Sequence, residues 1–416
     1  MSKLVGLYSA FTDVCLVDAL RTPWVDLNGA LAQISPIDLG IKVARGLFER
    51  TGISASAVDS VIAGSMAQAS FDAYFLPRHI GLYSGVPQAV PALAVQRICG
   101  TGFELLRQAG EQIEHGQAEL VLCVASESMS RNPIAAYGHR DGFRLGAPVE
   151  FKDFLWEALF DPAVAISMIE TAENLAKYYD LSRACVDRFA AQSFARALVA
   201  QEGGWFFEEI LSVVSERFEQ NGLRPRGIQL ARGIDAVTTD THVRASSFEA
   251  LQRLRAIYPD GVQTAGNSCA VVDGAAAALV GSLHDFAGQR PLAQLVAATA
   301  SGVSPEVMGI GPVPAIRLLL ERSGLSLGEI GRFEINEAQG AQILAVQREL
   351  EIDPERINVH GGAIALGHPL AATGLRLTMT LARQLRAANQ RYGIASACIG
   401  GGQGMALLIE NPDYHG

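Results

Sequence analysis

Four residues of types suited to acyl or proton transfer stand where short secondary elements meet: Cys99, His368, Cys398 and Asn336. Cys99 follows the strand-like AVQRI and precedes Gly100-Thr101-Gly102, which puts its thiol at the amino end of the next helix. Unpaired N–H groups and the helix dipole favour a thiolate there, although a buried, inert cysteine is the commoner fate of the residue type. His368 lies between Gly367 and Pro369 in GGAIALGHPLAATG, read as a glycine-rich strand-to-helix loop from which an imidazole can accept a thiol proton. The plainer alternative is a solvated loop histidine. Cys398 ends a strand beside Gly400, Gly401, Gly402 and Gly404, a cluster that either admits a ligand close to the backbone or only makes a tight hairpin. Asn336 and Glu337 sit where a strand-like run meets a helix, so Asn336 is either an N-cap or a fixed amide dipole holding a water.

The elements that must carry these residues follow an α/β alternation. Ser35, Pro36 and Asp38 open a helix whose apolar stripe is Val43, Ala44, Leu47 and Phe48, and Gly52 closes it. Val61-Ile62-Ala63 and the run Leu120 to Ala125 are unbroken apolar segments, as expected of strands covered on both faces. A helix from about Gly102 to His115 lies between them. Residues 129–270 are richer in Arg/Asp loops and read as an inserted loop domain with a helix near 180–201. From about residue 291 the alternation resumes, with QLVAATA, RFEI, IASACI and MALLIE as strands, and helices ending near Gly324, starting at Glu337, and spanning about 370–389. A faint internal repeat pairs RICGTGFELL around Cys99 with FEINEAQGAQIL around Asn336.

Composition limits the functions these elements can serve. With 416 residues, 49% hydrophobic and 18% charged, the chain is a globular protein of about two or three units. Its net charge of −10 argues against binding nucleic acid or an anionic membrane surface. No apolar window is long enough to span a bilayer. The first residues read as a strand, VCLV closed by Asp18, rather than a signal peptide. The six cysteines show neither CxxC pairs nor zinc-ligand spacing, so no metal is expected, and free thiols point to a reducing cytoplasm. Neither glycine-rich stretch gives GxGxxG opening a helix after a strand, which removes a dinucleotide site. Arg217, Arg224, Arg226, Arg232, Arg244, Arg253 and Arg255 form a basic stretch, mostly a solvated surface, in which one or two guanidinium groups can bind phosphate.

Taken together, the motifs resemble the thiolases. They are RTP at 21–23, VQRICGTG at 95–102, ESMS at 127–130, TAEN at 171–174, TAGN at 264–267, DGAAA at 273–277, MGIGPVPA at 308–315, NEA at 336–338, GGAIALGHP at 361–369 and CIGGGQG at 398–404. They run in family order over nearly the whole chain. The resemblance implies two duplicated βαβαβαββ halves in a five-layer α-β-α-β-α core, with an inserted loop domain over the coenzyme A site. The expected division is 1–128 plus about 271–291 for the N-terminal half, 129–270 for the loop domain and 292–416 for the C-terminal half. It further implies Cys99 as the nucleophile that carries the acyl group, active as a thiolate near neutral pH, His368 as its activator, and Cys398 as the acid or base at the α-carbon. One oxyanion hole would come from His368 and a water held by Asn336, the other from the N–H groups of Cys99 and Gly400.

The sequence departs from the family pattern near the acyl site. NEAFA is NEAQG, placing Gln339 and Gly340; HPxGxSG is HPLAATG, with Ala371 for Gly; TAGNASG is TAGNSCA, which puts Cys269 where a Ser often contacts coenzyme A; and an HMG segment reads Ser167-Met168-Ile169. Met168, Cys269, Gln339 and Ala371 are therefore the expected substrate or coenzyme A contacts. The leading expectation is an acetyl-CoA acyltransferase of fatty-acid degradation that cleaves or condenses 3-oxoacyl-CoA. A biosynthetic acetyl-CoA acetyltransferase and a non-catalytic scaffold are the rivals. Coenzyme A is a substrate and no cofactor is required. The resemblance also implies a homodimer or homotetramer and a hydratase/dehydrogenase as a candidate partner.

Overall fold

A computed structural model of the chain describes residues 5–66 and 71–415. The N-terminal half contains β1 (Val14–Arg21), α1 (Pro36–Thr51), β2 (Ser60–Gly64), α2 (Leu76–Tyr83), β3 (Ala92–Ala94), α3 (Thr101–Glu114), β4 (Leu120–Glu127) and β5 (Val272–Ser282). Between β4 and β5 the chain forms four two-stranded ribbons and the helices α4 (Met168–Tyr178) and α5 (Arg183–Glu202). The C-terminal half contains β6 (Ala293–Gly302), α6 (Pro312–Ser323), β7 (Ile330–Ile335), α7 (Gly340–Leu350), α8 (Ala363–Leu366), α9 (Thr373–Ala387), β8 (Tyr392–Ile399) and β9 (Gln403–Glu410). Among the described residues no helix is long and apolar enough to cross a membrane.

Local chemistry explains the boundaries. The Ser35 hydroxyl accepts from the Ile37 N–H, Pro36 occupies the first turn, and Gly52 ends α1 at φ 68°, a left-handed position that a side chain would strain. In β4, Val121, Cys123 and Ala125 face one core while Leu120, Leu122 and Val124 face another, so the unbroken apolar run is a strand buried on both sides.

The strands form one sheet in the order β7-β8-β9-β6-β1-β5-β4-β2-β3. This order is two copies of one pattern back to back. β2 runs parallel to β4 as β7 does to β8, and β4 is antiparallel to β5 as β8 is to β9. The copies join where β6 meets β1, through Ala293–Leu16 and Gln294–Cys15. Even β3, parallel to β2, has a remnant in the parallel bridge between Phe333 and Ile357. α1 and α2 cover one outer face, α6 and α7 the other, and α3 and α9 fill the space between the two halves of the sheet. The five-layer arrangement is present.

Topology corrects the internal repeat. α3 leads into β4 and α9 leads into the equivalent β8, so the counterpart of the Cys99 turn is the His368 loop. Asn336 follows β7 and therefore corresponds to the segment after β2, not to Cys99.

The two central helices touch backbone to backbone near their amino ends. A Cβ on Gly102 would lie 2.6 Å from the Leu375 nitrogen, and one on Gly374 would lie 2.5 Å from the Phe103 nitrogen. Neither contact can be relieved by turning a side chain. We expect Gly102→Ala or Gly374→Ala to lower stability by about 1–3 kcal/mol and to cost most of the catalytic activity by parting the two helix ends. Urea unfolding of each variant checks this; an unchanged midpoint would show that the helices can separate freely.

Candidate active site

Cys99 sits in the 3₁₀ turn Ile98–Gly100 at the mouth of α3. Ile98 enters the turn at φ 47°, an unfavourable angle for a β-branched residue, and the turn is braced around it. Thr101 Oγ1 accepts from the Arg97 N–H at 2.9 Å and donates to the Ile98 carbonyl at 2.7 Å. Arg97 then reaches Glu104 at 3.0 Å and Gln403 at 3.1 Å, tying the turn to the β8–β9 hairpin. That hairpin carries Cys398 and Gly400, and the backbone N–H groups of Gly400 and of Cys99 itself pull the Cys99 thiol towards its thiolate. A Cβ on Gly100 would stand 2.4 Å from Ile399 Cδ1, so any larger residue there would have to turn that side chain.

His368 lies between α8 and α9, a helix-to-helix loop rather than the expected strand-to-helix one. Gly367 makes the loop possible at φ 95°, where a Cβ would also strike Val272. The His368 N–H donates to the Ala270 carbonyl at 3.0 Å. Its Nδ1 is 2.5 Å from Thr373 Oγ1, and Thr373 in turn donates to the Pro369 carbonyl at 3.3 Å. Because the hydroxyl proton is used on Pro369, Thr373 accepts from Nδ1–H, which leaves the unprotonated Nε2 to accept from Asn336. Asn336 Nδ2 stands 3.3 Å from that Nε2.

Asn336 is fully buried and does not cap a helix; α7 starts later, at Gly340, with Gln339 in the cap position. The Asn336 carbonyl Oδ1 has no partner among the described residues. The neighbouring Glu337 explains how the loops are held. Its carboxylate accepts from Ser193 at 2.6 Å, Asn358 at 2.9 Å and the Ile364 N–H at 3.2 Å, joining the Asn336 strand end to α5 and to the start of the His368 loop. Sequence reading missed both Glu337 in this role and Thr373. The signal for Thr373 was its place five residues after His368, at the first turn of a helix.

Electrostatics change one expectation. Burial pushes the Cys99 thiol up to about 11, against the downward pull of the Gly400 and Cys99 N–H groups. Burial also pushes His368 down to about 3, with Arg376 adding repulsion. The resting pair is thus a neutral thiol and a neutral imidazole; the helix terminus does not make a standing thiolate at neutral pH, because desolvation outweighs it. Cys398, fully buried, and Cys269, pushed up to about 12 by burial, would both be raised by a thiolate at Cys99, so three thiols share one small region.

These groups open on a cavity of about 840 Å³. Cys99, His368 and Cys269 lie on its wall, with Met129, Met168, Met308, Leu370 and Gln339 around them and Trp156, Leu159 and Phe160 farther out. Asp26, Lys152, Glu157 and His242 bring charge or polarity to it. Of the residues expected to contact substrate, Met168, Cys269 and Gln339 line the cavity. Ala371 does not: it is fully buried, its N–H donates to Glu127 at 3.3 Å, and its carbonyl faces Gly102. The position serves the contact between α3 and α9. Among the arginines, Arg226 is bound by Asp38 and Asp72, and Arg217 by Glu219, whereas Arg244 stacks over Phe194 with its Nη1 3.1 Å from Nδ1 of the cavity residue His242.

Comparison with known proteins agrees in both halves. The thiolase N-terminal domain model matches residues 14–283 and the thiolase C-terminal domain model residues 289–411. Mitochondrial 3-ketoacyl-CoA thiolase of Bos taurus is 40% identical over 96% of this chain and 98% of its own length. An acetyl-CoA acetyltransferase of Pseudomonas aeruginosa is 40% identical over 95% of this chain and 99% of its own. The structure of human mitochondrial 3-ketoacyl-CoA thiolase in complex with CoA superposes with a TM-score of 0.89 at 39% identity, covering 96% of this chain and 98% of that one.

A neutral resting thiol has a direct consequence for alkylation, since only the thiolate attacks. In the ligand-free protein the rate of Cys99 alkylation by iodoacetamide is expected to climb about tenfold per pH unit from 7 to 9, following the thiolate fraction below its pKa. A rate already at plateau near pH 7 would mean a standing thiolate–imidazolium pair instead.

Proposed function

The chain belongs to the thiolase family, and from that premise we propose that Cys99, His368, Asn336, Cys398 and Gly400 carry out acyl transfer between a 3-oxoacyl-CoA and coenzyme A. The observation that carries this reading is the meeting of a thiol and an imidazole with an unprotonated Nε2 on one cavity wall, with a second thiol, Cys398, buried behind the wall residues Met168, Met308 and Ala338.

In the cleavage direction, Cys99 Sγ attacks the C3 carbonyl as its proton passes to His368 Nε2. The new oxyanion needs donors that do not move during the reaction, and the Cys99 and Gly400 N–H groups suit one such hole. The C2–C3 bond then breaks, the acyl group stays on Cys99 as a thioester, and the acetyl-CoA enolate takes a proton at C2 from Cys398. Protonated His368 and a water accepted by Asn336 Oδ1 suit the second hole, at the thioester oxygen that becomes the enolate. Coenzyme A, deprotonated by the Cys398 thiolate, attacks the acyl thioester and leaves with the shortened acyl group. Cys99 recovers its proton from His368. The neutral resting pair supports this order, because charge forms only as the sulfur attacks.

The segment 129–270 supplies Met129, Trp156, Met168, His242 and Cys269 to the cavity, which supports its role as a cover for the coenzyme A site. Arg244, next to His242 and without a carboxylate partner among the described residues, is the best candidate of the basic stretch for a coenzyme phosphate. The mostly apolar, methionine-rich wall supports a degradative enzyme taking varied acyl chains, because thioether side chains adapt to different shapes. A homo-oligomer is supported by the edge strand β3, where Leu93 is exposed close in sequence to exposed Phe71, Tyr74 and Phe75.

Three substitutions separate the steps. Cys99→Ala should abolish turnover. Cys398→Ala should still form the Cys99 acyl adduct from acetyl-CoA, seen by mass spectrometry, while thiolysis falls by about 10²–10⁴-fold. Asn336→Ala should lower kcat by about 10²–10³-fold. Turnover that survives in Cys99→Ala would end the mechanism. For the substrate, 3-oxohexanoyl- to 3-oxodecanoyl-CoA should be cleaved with kcat/KM at least equal to that for acetoacetyl-CoA; a sharp preference for acetoacetyl-CoA would favour the acetyltransferase reading.

A further inference from the structure

The far end of α9 carries a second polar pocket that the acyl-transfer site does not use. It has a volume of about 430 Å³ and is bordered by Gly203, Gly204, Trp205, Glu208, Arg383 and Arg386. Arg383 is ten residues along α9 from Thr373, about 15 Å at the helical rise, so the pocket is separate from the coenzyme cleft.

Two guanidinium groups stand at this pocket, each with Nη2 taken by backbone carbonyls and Nε left without a partner among the described residues. Arg383, only 8% exposed, donates through Nη2 to the carbonyls of Glu208 at 2.9 Å and Ala19 at 3.4 Å. Arg386 donates through Nη2 to the carbonyls of Pro291 and Arg290. In both, Nε is buried without a hydrogen-bond partner, and the same holds for Trp205 Nε1. Trp205 is itself fixed, stacked on His360 with ring centres 3.9 Å apart. Three donors without partners on three immobilised side chains are costly in a folded protein unless a ligand meets them.

Charge points the same way. Arg50 and Arg290 adjoin the two, and the acids nearby are Asp18, 2.5 Å from Arg50 and 3.9 Å from Arg383, and Asp413, 3.4 Å from Arg386 and 3.5 Å from Arg290, with Glu208 exposed at the rim. Burial holds the Arg50 and Arg386 guanidinium groups below their usual range, and repulsion from Arg383 adds to it in both. An anion would relieve that crowding, and the Nε–H groups of the two arginines with the Trp205 Nε1–H offer the oxygens of one oxyanion three separate donors.

We infer that this pocket is an oxyanion site that takes a phosphate group, either as the free ion or as the phosphate of a small monoester. The test titrates the full-length protein with inorganic phosphate and with AMP, at constant ionic strength against chloride, following the thermal midpoint and tryptophan fluorescence. Phosphate should raise the midpoint beyond chloride and change the fluorescence. Trp205→Phe, which removes one of the three donors, should remove most of the fluorescence change and weaken the stabilisation. Arg386→Met should weaken binding at least tenfold, Arg383→Met likewise if it folds, and Arg244→Gln at the coenzyme cleft should leave it unchanged. Tighter binding of AMP assigns the monoester, and equal or weaker binding assigns the free ion. The proposal is overturned if phosphate does no more than chloride, if Arg386→Met binds as the wild type does, or if Arg244→Gln abolishes the effect.

Discussion

The contact between Gly102 and Gly374 governs the geometry of the whole site. Cys99 lies just before α3 and His368 just before α9, in equivalent places of two copies of one fold pattern. Any side chain at the crossing would push the two helix ends apart, because each glycine meets main-chain atoms of the other helix. Removing the Cβ lets the backbones touch, and a thiol and an imidazole more than 260 residues apart in the chain open onto the same cavity. Ala371 belongs to this constraint. Its carbonyl faces Gly102 and its N–H meets the buried Glu127, so its small size serves the crossing and not the substrate.

The crossing also buries the reacting groups, and burial sets their chemistry. A thiol raised to about 11 and an imidazole lowered to about 3 form no ion pair at rest. The N–H groups of Cys99 and Gly400 act on the sulfur against that burial, and they are the donors proposed for the acyl oxygen. Around the pair, buried polar side chains act as braces. Thr373 fixes the imidazole tautomer, Asn336 meets its other nitrogen, and Glu337 ties its own strand end to α5, to Asn358 and to α8. Each brace uses a hydrogen bond that the low-dielectric interior makes strong.

The departures near the acyl site fall into two kinds once placed. Met168, Gln339 and Cys269 form the cavity wall, where they shape what enters; Met168 also packs beside Cys398 with Met308 and Ala338. Cys269 adds a third thiol close enough to feel charge on the catalytic candidate. The basic stretch divides similarly. Arg226 and Arg217 are held by carboxylates, and Arg244 alone of the three stands beside a cavity residue.

Much of the fold and of the site is legible in the amino-acid order itself, for physical reasons that act locally. Period-two and period-3.6 patterns, the Ser35 cap, the left-handed Gly52 and the glycine hairpin after Cys398 each depend on near neighbours in the chain, so the α/β alternation and the element ends can be read directly. The motif strings likewise mark Cys99, Asn336, His368 and Cys398. What the chain order does not disclose is long-range: that the repeat pairs Cys99 with His368, that α7 starts only at Gly340, that Ala371 lies off the cavity, and that burial overrides the helix dipole at Cys99. Residue type and spacing determined which groups were available for chemistry. Only the packing of two helices at a pair of glycines decided which of them meet and in what protonation state, because desolvation and backbone contact depend on neighbours distant in sequence.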